Sequence, residues 1–133
     1  MRILDGAAFN HFEGFCVEFS RSVLGGAHDW HGSLDAFNDI LRGGFGTPDG
    51  PWVLRWRGAG HSRQALGWSA TRRWLAESMR RCHPSNRPDV VERLREADQQ
   101  RGETLFDMIV TIIRDHGEGG SESEDGVVLE LEE

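Results

Sequence analysis

Two short runs of strand character, Arg2-Ile3-Leu4 and Trp52-Val53-Leu54-Arg55-Trp56, are separated by the whole of residues 5–51, and that stretch carries helical periodicity. Strands so far apart cannot form a tight hairpin; they need a crossover, and a crossover through helices makes a parallel pair. Phe9, Phe12, Cys16, Phe19 and Val23 recur at steps of three and four, which predicts a helix from about Phe9 to Leu24. Gly25-Gly26 ends it. Ser33 is a good N-cap for a second helix, on which Leu34, Phe37 and Leu41 share one face while Asp35, Asn38, Asp39 and Arg42 point away from it. Gly43-Gly44 closes this helix.

The rest of the chain repeats the alternation. Trp52–Trp56 is more apolar than alternating, which predicts a strand covered on both faces. Trp68, Thr71, Leu75 and Met79 mark one side of a helix from roughly Trp68 to Cys82, and His83-Pro84-Ser85-Asn86-Arg87-Pro88 interrupts it. Val90, Leu94 and Ala97 face inward on a further helix from Asp89 to about Arg101. Leu105 to Ile113 is the most apolar run and is β-branched at Ile109, Val110, Thr111, Ile112 and Ile113, so it predicts a third, central strand. Residues 117–126, glycine-rich and acidic, read as a flexible loop, and Val127–Leu131 as an antiparallel edge strand. The expected class is α/β: a small three-stranded parallel sheet packed by helices, in one domain over residues 1–133.

Charge narrows the functions open to such a domain. The formal net charge is −7, but residues 115–133 hold eight acids and no base, leaving residues 1–114 with 15 Arg against 14 acids. That balance gives no support for direct nucleic-acid binding, which needs clustered excess cation. There is no Lys, which removes a Walker-type lysine, a Schiff-base lysine and a lysine general base. Cys16 and Cys82 show no metal or disulfide spacing and suit a reducing compartment. The opening residues lack a signal-peptide layout, and no apolar run approaches the roughly 20 residues of a membrane span. A cytoplasmic location without membrane attachment is expected.

The segment His28-Asp29-Trp30-His31-Gly32-Ser33-Leu34-Asp35-Ala36-Phe37-Asn38-Asp39 resembles the signature of the barstar family, an aromatic-glycine turn followed by Leu-Asp-Ala-aromatic-x-Asp. The likeness extends to the opening Ile/Leu strand with its Asp-Gly turn, to Val53-Leu54-Arg55-Trp56-Arg57, and to Leu94-Arg95-Glu96-Ala97 before the last strand. It covers about residues 1–114, apart from an insertion at about 59–88. The resemblance implies an intracellular, monomeric protein that binds a microbial ribonuclease of the barnase or guanyl-specific kind one to one. In that family an acidic helix and the loop before it lie across the active site. Carried over, Asp39 is the carboxylate that enters the phosphate position, with Asp35 and Glu96 as supporting acids. Trp30 is then an aromatic packed on the enzyme, Asn38 a contact of the same helix, and Gly43 and Gly44 a close-approach turn. Asn38 stands where the family has an aromatic, and Asp29-Trp30 where its prototype has paired tyrosines.

The chemistry suits inhibition. A ribonuclease gathers cations to hold phosphate, so carboxylates one turn apart on a rigid helix imitate substrate charge, and no catalytic group, metal or cofactor is needed. Two other readings stay open: an immunity protein of this fold against a different toxin, and a small nucleotide-binding or receiver-like enzyme domain. The last expects phosphate-cradling glycines after the first strand or a phosphoryl-site lysine, and neither is present. His28 and His31 alone make poor metal ligands, and Ser62 or Ser69 with His61 forms no recognised nucleophile arrangement.

Overall fold

The computed structural model describes residues 1–133. In chain order its elements are β1 (Arg2–Asp5), α1 (Phe12–Ser22), α2 (Leu34–Leu41), β2 (Trp52–Arg57), α3 (Ala59–Ala65), α4 (Trp68–Arg81), α5 (Arg87–Asp98), α6 (Leu105–Asp115) and β3 (Val127–Leu131). Single turns of 3-10 helix lie at Pro84–Asn86 and Ser123–Asp125. The sheet order is β1-β2-β3, and both pairings are parallel.

The parallel three-stranded sheet is thus as expected, but its third strand is not. Leu105–Asp115 is helix α6, against the expected strand over Leu105–Ile113. Leu105, Phe106, Met108, Ile109, Val110 and Ile113 are buried, while Asp107, Thr111 and Arg114 are exposed at helical spacing. A capping box starts it: Thr104 Oγ1 accepts from the Asp107 N–H, and the Asp107 carboxylate accepts from the Thr104 N–H. Burial of the broad apolar face and this cap outweigh the weak β preference of the branched residues. The third strand is instead Val127–Leu131, and it runs parallel to β2, not antiparallel as expected.

Alternation decides which sheet face is covered. Leu4, Trp52, Leu54, Trp56 and Val127 are buried on one side. On the other, Ile3 is 40% and Val128 53% exposed, beside an ion-pair row in which Arg55 meets Glu130 and Glu132, and Arg57 meets Glu132. β2 is therefore covered on one face only, against the expectation of two.

The main core joins these strand residues to α1, α2 and α6. Phe15 stacks on Trp56 at 5.4 Å between centroids, and Phe19 meets Phe37 edge-on at 4.9 Å. α4 and α5 pack on each other around a separate small core of Leu75, Val90 and Ala97. Buried Thr71 ties this pair to the body, its Oγ1 accepting from the Leu105 N–H at 2.8 Å. At the opposite end Ser62 Oγ accepts from Trp56 Nε1 and donates to the Gly6 carbonyl, both at 2.9 Å. A Cβ on Gly6 would run into the Arg57 carbonyl, so only glycine lets β1 turn this close to β2.

Residues 117–126 form a bonded turn, where a flexible loop was expected. The Glu122 N–H donates to the Asp115 carbonyl at 2.8 Å and the Val127 N–H to the His116 carbonyl at 2.9 Å. Two of its acids, Glu122 and Asp125, are engaged by Arg42 and His116, while Glu118 and Glu124 are exposed.

Candidate functional site

Helix α2 is held on three sides before it offers anything to solvent. At its start Ser33 Oγ accepts from the Ala36 N–H at 3.2 Å, as its N-cap role predicts. Along its length Phe37, Ile40 and Leu41 are buried, which fixes its rotation and turns Asp35 and Asp39 outward, one turn apart. At its end Asn38 Oδ1 lies 2.6 Å from Nε2 of His116, a fully buried ring that caps α6.

His116 is the centre of a compact polar network. Its Nδ1–H donates to Asp125 Oδ2 at 2.6 Å, and Nε2 also lies 3.3 Å from Glu122 Oε2. Arg42, just past α2, donates from Nε to Glu122 Oε1 at 2.6 Å and pairs with Asp39 through its guanidinium. The Glu122 hydrogen bond raises the Arg42 pKa above its ordinary value, opposed by desolvation and assisted by the charges of Glu122, Asp39 and Asp125. The network bolts the end of α2 to α6 and to the 122–125 turn, and Arg42 is shared between Glu122 and Asp39. Asp39 stays 61% exposed within it.

One ligating atom from each of His116, Glu122 and Asp125 falls within 4.8 Å of the others. Those atoms are already matched internally: Asp125 takes the Nδ1–H, Asn38 stands against Nε2, and Arg42 shares Glu122. An added cation would face the Arg42 guanidinium, so the cluster reads as a structural clamp. His28 stacks edge-on against Phe45, and neither it nor His31 joins a cluster of ligating side chains.

The expected site residues divide. Asp35 and Asp39 are exposed on α2. Gly43 and Gly44 follow directly, with φ of 109° and 89°, a region open to glycine at little cost, and no atom stands within 4 Å of where a Cβ would lie. Trp30 is only 3% exposed: its ring packs among Phe12, Phe15, Phe19 and Phe37, and its Nε1 donates to the Ser33 carbonyl at 2.8 Å. It fixes the loop before α2 and offers no ring face to a partner, against the expectation. Asn38 is half-buried, its Oδ1 against the buried His116 ring at the end of α6, so its amide is only partly open to a partner. Glu96 is exposed on α5, beside the separate small core, whereas α2 packs on α6.

The residues that sequence reasoning missed are His116, Glu122 and Asp125. Only the bunching of acids after a lone histidine hinted at them, within a segment whose composition reads as loop. Cys16 lies buried on α1, where desolvation, with Glu13 nearby, pushes its thiol up to about 12, so it stays protonated and unreactive. Comparison of the chain with protein-family models, with curated proteins and with solved structures finds no match.

Proposed function

We propose that the chain is a barstar-like inhibitor of a microbial ribonuclease, acting in the cytoplasm as a monomer and blocking the enzyme with the acidic face of α2. The observation that carries this reading is the pairing of exposed Asp35 and Asp39, one turn apart, on a helix clamped at both ends. A clamped helix loses little freedom on docking, so its charges arrive in fixed register with a cationic pocket. Glu122 and Asp125 are engaged by Arg42 and His116, so Asp35 and Asp39 carry the exposed negative field that would speed encounter with a basic enzyme. Arg42 sits at the rim of this field and holds Asp39 in place. No helix is long and apolar enough to cross a membrane.

Trp30 is buried in the fold and Asn38 is half-buried against His116, which removes one contact that the family resemblance implies and limits another. This favours a target whose binding surface differs from that of barnase, and an immunity role against such an enzyme. The test is therefore a panel. RNA cleavage by several barnase-type and guanyl-specific ribonucleases is titrated with the chain and with Asp39→Ala. Stoichiometric loss of cleavage is expected for at least one enzyme. Removal of one member of a buried charged pair costs about 2–5 kcal/mol, so the variant should bind about 30-fold more weakly or worse. Failure against the whole panel contradicts the proposal.

A further inference from the structure

We infer that the groove between α1 and α4, floored by α6, is a docking site for a single amphipathic helix of a partner protein, acidic along the edge that meets Arg73, Arg81 and Arg93. The groove has a volume of about 1740 Å³. Three helices turn one stripe each toward it, at the three- and four-residue spacing of a helical face. α4 contributes Arg73, Trp74 and Arg81, α6 Ile112, and α1 Phe12 and Val17, and the segment over residues 26–36 completes the lining. An α-helix with its side chains is about 10–12 Å across, so the space matches about three turns of a fourth helix laid between α1 and α4.

Part of the lining, on all three helices, is apolar and uncovered. Val17 is 67% exposed, and Phe12, Trp74 and Ile112 are half-buried against the main core. Such a stripe is the receiving half of helix-in-groove recognition.

The walls are charged with opposite sign. Residues 68–101 hold eight Arg against five acids, although the chain as a whole is acidic. On the α4–α5 side Arg73 and Arg93 form no ion pair, and Arg81 reaches Glu77 only at 3.8 Å. Glu13, Asp29 and Asp35 line the groove from α1 and the segment leading into α2, where Arg21 is held by Glu18; Glu77 on α4 is shared by Arg80 and Arg81, and Glu103 before α6 also lines the groove. The occupant these walls select is a helix with an apolar stripe, acids on one edge and bases on the other. The chain holds no such helix to spare: the apolar faces of α2 and α6 are buried in the main core, and α5 spends its own on α4. That argues for a different protein and against a second copy.

This surface goes beyond the ribonuclease reading and does not need it. Asp35 borders both surfaces, so the test leaves Asp35 and Asp39 untouched. The full chain is titrated with a 14-residue helical peptide carrying a Leu stripe, Glu on one edge and Arg on the other. A scrambled peptide of the same composition is the control, and binding is followed by NMR. Saturable shifts at Val17, Trp74 and Ile112 are expected for the designed peptide alone. The exposed double variant Arg73→Glu/Arg81→Glu should weaken binding at least 10-fold, and a peptide with only its Glu edge reversed to Arg should restore it. Equal binding of the scrambled peptide, or loss of affinity that the reversed peptide does not recover, overturns the inference. So does displacement of the peptide by a single-stranded oligonucleotide, or a dimer in sedimentation that shields Trp74. Ribonuclease titration of the same double variant, read separately, shows whether the α2 surface is intact.

Discussion

Trp30 sets its ring edge-on to Phe12 and Phe15 and within 4.7 Å of Phe37, centroid to centroid, while its backbone N–H donates to buried Ser20 Oγ at 2.9 Å. One side chain thereby fastens the loop before α2 to α1 and closes the core over Phe37. Trp30→Ala should lower stability by about 3–5 kcal/mol, the usual range for truncating a buried large aromatic. Urea denaturation measures it, and a loss under about 1 kcal/mol would place Trp30 at the surface instead. The sequence marks Trp30 as notable but not which way it faces, because an aromatic before a helix N-cap serves equally as core and as contact. Asp35 and Asp39 were legible for the opposite reason: Phe37 and Leu41 fix the inner face of α2, and spacing alone turns the acids out.

At the scale of the element, α2 depends on a partner that lies far along the chain. His116 reaches Asn38 across 78 residues of sequence, and Arg42 reaches Glu122 across 80. No local pattern reports such pairings, which is why residues 117–126 read as loop. His116→Ala leaves half-buried Asp125 and Asn38 without their partner and should cost about 1 kcal/mol or more, the usual net worth of a lost hydrogen bond. Hydrogen exchange should quicken over residues 117–126 and at the end of α2, with the start of α2 unchanged because Ser33 still caps it. Uniform acceleration across α2 would contradict the clamp. α6 teaches a related lesson. Its branched residues argue for a strand, yet Thr104 and Asp107 already spell a capping box, and Asp107, Thr111 and Arg114 keep helical spacing. The cap and the polar period were the stronger signals, and they lay in the sequence from the start.

For the molecule as a whole, the spacing of β1 and β2 dictates a parallel crossover, and the sheet follows it. The last strand was identified as a strand but not in its direction, since orientation depends on where α6 delivers the chain and not on residues 127–131 themselves. The α4–α5 pair stands apart with its own small core, tied to α6 by Thr71. Few buried apolar groups hold it, so it should open without global unfolding. Native-state hydrogen exchange should show α4 and α5 less protected than β2 and α6, and equal protection throughout would mean one indivisible unit. What remains central is that the outward charge of α2 enters a cationic ribonuclease site. Its most direct measurement is stoichiometric titration of RNA cleavage with the intact chain and with the Asp35→Ala/Asp39→Ala double variant, both checked for native circular dichroism. The account predicts a sharp one-to-one end point for the intact chain and none for the folded double variant. Inhibition that survives in the double variant would contradict it.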